Sequence, residues 1–188
     1  MNKRWATVQC GDFETREADG NLYIDGYFAL FGSKYWLWEA GYETVDPGAF
    51  DLDADADVRA LTNHDTTLVL GRTVAGTLTL LVDERGLKGT ITINQADQDA
   101  VNLYERVKRG DVTQCSFGFE VLEQTVETMP SGLTVWHLVR VRLYEVSVVT
   151  FPAYEDTAVT ARMAEAETIR ARQTETWRAQ MKARLKGE

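Results

Sequence analysis

Residues 112–122 read VTQCSFGFEVL, and residues 134–150 read TVWHLVRVRLYEVSVVT. Both stretches are enriched in valine and aromatic residues, which favour the pleated, half-buried surface of a β-strand. The sequence Met129-Pro130-Ser131-Gly132 lies between them and is typical of a turn. The two stretches therefore predict a hairpin of two long strands, around which the rest of the fold is built.

The sequence before this hairpin predicts more strands than helices. Residues 22–30 alternate with a period of two, which is typical of a strand. Residues 67–82 and 87–93 are rich in Leu, Val and Thr and predict two or three further strands. Residues 96–109 repeat apolar side chains every three to four positions and end before Gly110, which predicts a helix. The predicted fold class is therefore mainly β with flanking helices.

The size and composition of the chain predict one ordinary globular domain. It has 188 residues, of which 44% are hydrophobic and 26% are charged, enough to bury a core. Its 20 basic and 29 acidic residues give a net charge of −9, which repels the phosphate backbone of nucleic acid. Its apolar runs are shorter than the roughly 18 residues needed to cross a bilayer. We therefore expect no nucleic-acid partner and no membrane partner.

The C-terminal residues differ in charge from the rest of the chain. Residues 161–188 contain seven Lys and Arg and four Asp and Glu residues, a net charge of +3, which leaves −12 for residues 1–160. This segment is rich in strong helix formers, and Trp177, Met181 and Leu185 recur on one stripe of a helix. We predict a domain over residues 1–160 and a charged helical tail over residues 161–188.

The sequence contains no convincing pattern of metal ligands. Four aspartates alternate over residues 51–57, but Val58 stands where a calcium loop needs glycine, and His64 stands where it needs glutamate. A solvated acidic face is the better interpretation. The two histidines and two cysteines match no zinc spacing, so we expect no metal and no cofactor. We expect both cysteines, Cys10 and Cys115, to be reduced thiols.

Ser116 is the first candidate catalytic residue. Strand alternation places Ser116, Gly118 and Glu120 on one face and Cys115 on the other. Because glycine has no side chain, Gly118 would leave open space through which a substrate approaches the hydroxyl. The alternative is a buried serine that only forms hydrogen bonds within the sheet. Cys115 is a rival nucleophile, but it points to the opposite face.

Glu145 and His64 are the other candidates. Glu145 lies in an otherwise apolar strand, and a buried carboxylate needs a partner, for which a histidine is suited. The alternative partners are three arginines: Arg72, Arg140 and Arg142. His64 lies in the polar stretch Leu61-Thr62-Asn63-His64-Asp65, at an exposed strand edge. A lone histidine is more often structural than catalytic, although the imidazole is suited to proton transfer near neutral pH.

Several short motifs occur in a fixed order along the chain. They are Gly26-Tyr27-Phe28-Ala29, Gly48-Ala49-Phe50, Leu61-Thr62-Asn63-His64-Asp65, Leu70-Gly71-Arg72-Thr73, Ser116-Phe117-Gly118-Phe119 and the segment EVSVVTFPA at residues 145–153. In this order and spacing, the chain resembles the prohead maturation proteases of tailed double-stranded DNA phages, which are distant relatives of the herpesvirus assemblins. The likeness spans residues 22–158.

This resemblance implies a serine endopeptidase and gives each candidate a role. Ser116 would be the nucleophile, His64 the general base and Glu145 the third member, which orients the histidine. His137 is the competing third member. The resemblance also implies the fold of the herpesvirus protease, a closed or nearly closed antiparallel β-barrel, with the helix over residues 96–109 packed on its outside.

The resemblance implies substrates and partners as well. The substrates would be the major capsid protein precursor, scaffold segments and the protease itself, cleaved inside the viral procapsid in the host cytoplasm. A homodimer is expected by analogy with the herpesvirus relatives. The tail over residues 161–188 would be a targeting or self-cleaved segment, or else a plain terminal helix. Two alternatives stay open: a non-enzymatic capsid or scaffold assembly module that keeps the barrel, and an unrelated hydrolase that uses Cys115.

Overall fold

A computed structural model describes residues 3–8, 13–52, 57–151 and 156–186. Strands and helices account for most of them. The strands are β1 (Lys3–Val8), β2 (Glu14–Ala18), β3 (Asn21–Leu30), β4 (Tyr35–Trp38), β5 (Gly41–Val45), β6 (Arg59–Thr62), β7 (Asp65–Arg72), β8 (Leu78–Val82), β9 (Gly86–Ile93), β10 (Gln114–Thr128) and β11 (Thr134–Val149). The α-helices are α1 (Gln98–Arg109) and α2 (Asp156–Lys186).

The predicted hairpin is present as β10 and β11, which pair antiparallel over almost their whole length. The register shifts in the middle of the pair. Gly118 pairs with Glu145 whereas Phe119 pairs with Leu143, so Tyr144 is an extra residue in β11. Such a bulge bends the strand and changes the direction of nearby side chains. This bulge lies directly beside Glu145.

The described strands form two sheets around this hairpin. The larger has seven strands in the order β1-β10-β11-β5-β4, and it also includes β6, which pairs with β11, and β7, which pairs with β6. β5 and β6 both run parallel to β11, β5 beside residues 134–138 and β6 beside residues 145–148. The smaller sheet has four antiparallel strands in the order β2-β3-β9-β8.

Neither sheet closes on itself within the described part of the chain. A closed barrel needs an unbroken ring of paired strands. The pairing therefore does not confirm the predicted closed or nearly closed barrel. The coarser prediction of a mainly β protein with helices is confirmed. Apolar side chains of both sheets and α1 share one core, which includes Ile24 and Phe28 of β3, Phe117 and Phe119 of β10 and Leu103 of α1.

The helix predicted over residues 96–109 is α1, and its ends follow from the local sequence. Asp97 caps the N-terminus, where its carboxylate accepts hydrogen bonds from the backbone N–H groups of Asp99 and Ala100. Gly110 ends the helix at φ 85°, a left-handed conformation that glycine adopts without steric cost. The apolar stripe of α1 is buried in the core, as its spacing predicts.

Residues 161–186 of the predicted tail lie within α2, which begins earlier, at Asp156. Its first half is anchored by the buried Arg162, which donates two hydrogen bonds to Glu43 at 2.8 and 2.6 Å and one to Gln124 at 2.8 Å. The second half leaves the sheet, and residues 171–182 are all exposed. Among the described helices, none is long and apolar enough to cross a membrane. The division into a domain over residues 1–160 and a tail stays a prediction.

Candidate active site

His64 lies in a tight turn between β6 and β7. Asn63 and His64 have φ angles of 51° and 60°, the positive values that a two-residue type I′ hairpin turn requires at both central positions. The turn is attached to β11 by the backbone N–H of Asn63, which donates to the carbonyl of Val148 at 2.9 Å. A second bond joins the N–H of Thr150 to the side-chain oxygen of Asn63 at 2.8 Å. The turn therefore has a fixed position relative to β11.

The structure brings Glu145 and His64 into direct contact. Oε1 of Glu145 lies 2.7 Å from Nδ1 of His64, and only 10% and 15% of the two side chains are exposed. The carboxylate of a buried glutamate therefore has the histidine partner that the sequence suggested. The predicted exposed setting of His64 is wrong, because the contact with β11 covers most of the imidazole.

The alternative partners that the described contacts place elsewhere are Arg72 and Arg142. Arg72 donates to both carboxylate oxygens of Asp57, at 2.6 and 2.7 Å, and this guanidinium lowers the pKa of Asp57. Arg142 lies 3.5 Å from Glu120. Asp57 is the last aspartate of the acidic run over residues 51–57, so it is paired with a cation rather than simply solvated. Residues 53–56 of that run lie outside the described residues.

Gly118 provides the space that the carboxylate of Glu145 fills. The two residues are direct cross-strand partners. A Cβ atom at position 118 would lie 2.5 Å from Oε1, 3.0 Å from Cγ and 3.1 Å from Cδ of Glu145. The predicted open path for a substrate over Gly118 is therefore wrong, since the glutamate occupies that space. Glycine is required here for a different reason, because any larger side chain would collide with the carboxylate.

Ser116 lies on the same face of the sheet, two residue pairs further along. It is the cross-strand partner of Ser147, and such partners have Cβ atoms about 5 Å apart. The oxygen of Ser147 lies 3.2 Å from the backbone nitrogen of His64. The strand register therefore brings Ser116 close to the turn that carries His64. Ser116 has 0% exposed surface.

The two competing assignments lie elsewhere. Cys115 points into the core, with 0% exposed surface and its sulfur 3.1 Å from the carbonyl oxygen of Tyr27. It is disulfide-bonded, so the prediction of a reduced thiol is wrong for this residue, whereas Cys10 lies outside the described residues. His137 contacts Asp46 at 3.0 Å. It precedes Ser147 by ten residues of β11, about 33 Å of extended strand, and therefore does not contribute to this site.

Ser147 is the residue that the sequence did not single out. Its hydroxyl donates to Oε2 of Glu145 at 2.6 Å and accepts from the backbone N–H of His64 at 3.2 Å. The available signal was its position two residues after Glu145, which places both side chains on one face of the strand. The neighbouring valines concealed it, because a serine in such a strand is usually only a satisfied core residue.

Hydrogen bonds fix the carboxylate of Asp65 at the end of the turn. Asp65, which follows His64, accepts from the hydroxyl of Thr67 at 2.6 Å and from its backbone N–H at 2.8 Å, and these bonds lower the pKa of Asp65. Within the ranges that the structure describes, there is no group of three or more His, Cys, Asp or Glu side chains that could hold a metal ion.

A carboxylate, an imidazole and a serine in this order form the arrangement that activates serine hydroxyls in unrelated hydrolases. Because an ionised carboxylate only accepts hydrogen bonds, such a contact favours the tautomer with the proton on Nδ1 and with Nε2 as the acceptor. The chain belongs to the family of caudovirus prohead serine proteases, whose family model matches residues 11–172. The predicted resemblance is therefore confirmed, and the family supports a role as a protease in prohead maturation.

The chain was also compared with solved structures and with curated proteins. Among solved structures, the capsid assembly protease of bacteriophage T4 is similar to this chain, with 10% sequence identity and a TM-score of 0.47. That similarity covers 79% of this chain and 99% of the T4 chain. No curated protein matches the sequence.

Proposed function

We propose that this protein is a serine endopeptidase that cleaves capsid or scaffold precursors during prohead maturation. Ser116 is the nucleophile, His64 the general base and Glu145 the group that orients the imidazole. The observation that carries the proposal is the 2.7 Å contact between Glu145 and Nδ1 of His64, in register with Ser116. If Glu145 had only a structural role, an arginine or a water molecule could satisfy its carboxylate equally well.

The proposed reaction follows from these positions. Nε2 of His64 takes the proton of the Ser116 hydroxyl as the serine oxygen attacks the peptide carbonyl carbon. Glu145 stabilises the imidazolium that forms, which then gives its proton to the departing amine. A water molecule, deprotonated by the same imidazole, hydrolyses the acyl-enzyme and restores the free serine.

The burial of Ser116 sets a condition on this reaction. With 0% exposed surface, the hydroxyl cannot meet a peptide carbonyl in the conformation described here. Cleavage therefore requires a local movement that uncovers the β10–β11 face near Ser116. Local opening of this kind costs less than global unfolding and is common at functional sites.

The proposal includes the biological setting of the family. The substrates are the major capsid protein precursor and scaffold segments, and the protease also cleaves itself. The reaction takes place inside the procapsid in the host cytoplasm, and the enzyme works as a homodimer. The acidic body over residues 1–160 makes nucleic acid an unfavourable partner.

The test is intact mass spectrometry after co-expression with the major capsid protein precursor of the same phage. The wild-type chain is compared with Ser116→Ala and with a matched control, Ser131→Ala, which changes an exposed serine of the hairpin turn. We expect trimmed precursor with wild type and Ser131→Ala, and full-length chains with Ser116→Ala. Trimming by Ser116→Ala would disprove the assigned nucleophile.

The buried position of Ser116 favours one alternative function, a non-enzymatic capsid or scaffold assembly module. That alternative predicts that Ser116→Ala and His64→Ala leave assembly unchanged. It also predicts that a fluorophosphonate probe never labels Ser116. Labelling of wild type but not of Ser116→Ala would exclude it, because only an activated serine reacts with such a probe.

A further inference from the structure

We propose that Ser147 is a positioning residue, whose one hydroxyl group holds both the carboxylate of Glu145 and the backbone of His64. This inference rests on the proposed protease function of Ser116, His64 and Glu145. The hydroxyl donates to Oε2 of Glu145 at 2.6 Å and accepts from the backbone N–H of His64 at 3.2 Å. Both of these contacts are with the protein, so the proposed role is to position other groups.

The first function of the hydroxyl is to fix the rotation of the Glu145 carboxylate. The terminal torsion of a glutamate is broad, so the carboxylate needs contacts on both oxygens to keep one orientation. Ser147 holds Oε2, while Oε1 lies over Gly118 and faces His64 at 2.7 Å. Each oxygen therefore has one partner, and a rotation of the carboxylate plane away from this orientation would weaken the bond to the imidazole.

The second function is to hold the main chain of His64. A non-glycine residue at φ 60° is uncommon and persists only where the surroundings fix it. The N–H of His64 would lose its acceptor without Ser147, and a buried donor without an acceptor is costly. Ser147 is fully buried, so bulk water does not readily replace its hydroxyl. Replacing Ser147 with alanine would therefore leave both the main chain and the ring of His64 less firmly held.

This dual contact predicts a specific effect on the tautomer of His64. A neutral imidazole in water favours the proton on Nε2, whereas a base that activates serine must carry it on Nδ1. The hydrogen bond made by one ring nitrogen decides which nitrogen is protonated. Ser147→Ala should therefore shift the neutral ring of His64 from the Nδ1–H tautomer towards a mixture with Nε2–H.

The kinetic test compares Ser147→Ala, Ser147→Thr and a matched control, Thr134→Val, which removes a buried hydroxyl from the other end of β11. We expect kcat to fall by about 10- to 100-fold in Ser147→Ala, the equivalent of one hydrogen bond to a charged group. KM should change little, and Ser147→Thr should recover most of the activity because it keeps the hydroxyl. Thr134→Val should keep the wild-type kcat.

The spectroscopic test does not depend on proteolysis. ¹⁵N spectra of the imidazole report the tautomer directly, and the chain has two histidines, so His137→Gln leaves His64 as the single signal. Spectra are recorded in the Ser116→Ala background with and without Ser147→Ala. A shift towards Nε2–H supports the proposal even if the wild-type chain proves to cleave nothing, which would refute only the proposed function.

Two results would overturn the inference. One is an unchanged tautomer in Ser147→Ala, together with wild-type kcat. The other is an equal loss of activity in Ser147→Thr and Ser147→Ala with an unchanged tautomer in both, since that pattern indicates a packing defect. If Ser147→Ala does not fold, Ser147→Cys replaces it, because a thiol has a similar volume but is a weak donor. The same tautomer shift is then expected, in smaller proportion.

Discussion

Gly118→Ala is predicted to break the contact between Glu145 and His64, because the added methyl group displaces the carboxylate. The new Cβ atom would lie 2.5 Å from Oε1 of Glu145, whereas ordinary contacts begin at 3.4 Å. The carboxylate must therefore move by about 0.9 Å, the difference of the two distances. A shift of that size lengthens the 2.7 Å contact with His64 to about 3.6 Å, beyond the range of a hydrogen bond.

The expected result of Gly118→Ala is a large loss of kcat in a folded protein. Loss of a correctly placed triad carboxylate lowers kcat by up to about 10⁴-fold, and we expect a loss of at least about 100-fold. The crowding itself destabilises by about 1–3 kcal/mol, which for a chain of this length lowers Tm by roughly 2–12 °C. The assay is steady-state cleavage of the precursor alongside thermal unfolding of the same samples.

A double-mutant cycle tests the cause of this loss. In a Glu145→Ala background there is no carboxylate for the methyl group to displace, so Gly118→Ala should cost no further activity. Equal additional losses in both backgrounds would mean that Gly118 acts through something other than Glu145. Wild-type kcat in Gly118→Ala would refute the reasoning altogether, because the carboxylate would then have another place to lie.

Three further predictions concern residues outside the site. His137→Gln should keep wild-type kcat in the cleavage assay, because His137 pairs with Asp46; a strong loss would restore it as a catalytic candidate. Arg72→Gln should lower Tm slightly near pH 7, because Arg72 lowers the pKa of Asp57 and so stabilises the folded state. The difference from wild type should shrink as the pH falls through the lowered pKa and the carboxyl is protonated. A Tm difference that does not change with pH would contradict this. Arg162→Ala should remove the guanidinium that pairs with the buried Glu43 and release α2, seen as faster limited proteolysis of the helix with the sheet intact. Unchanged protease resistance would mean that other contacts hold the helix.

The sequence predicted the elements whose pattern is local and long. β11 and α1 carry clear periodicity and strong end signals, and their bounds lie within two residues of the prediction, whereas β10 continues to Thr128, six residues past its predicted end. The short strands β4, β5 and β6 were not predicted, since four or five residues carry little periodicity. Parallel pairing of β5 and β6 with β11 depends on distant parts of the chain, which no local pattern reports.

The candidate site could be predicted in part for a similar reason. Glu145 was identifiable because a carboxylate within an apolar strand needs a partner, and the resemblance to a family indicated His64 and Ser116. The role of Gly118 was misjudged, because the sequence shows that a side chain is missing but not which neighbour uses the space. Ser147 was missed because its importance comes from two contacts with His64 and Glu145 that exist only in the folded chain.

The attachment of the His64 turn to the end of β11 has a consequence for the order of events during synthesis. The bonds described for this turn are made to Ser147, Val148 and Thr150, residues that leave the ribosome more than 80 positions after His64. A nascent chain that has reached only β10 contains the serine and the histidine but lacks the strand that positions them. The proposed catalytic residues are therefore not brought together until translation has passed residue 150.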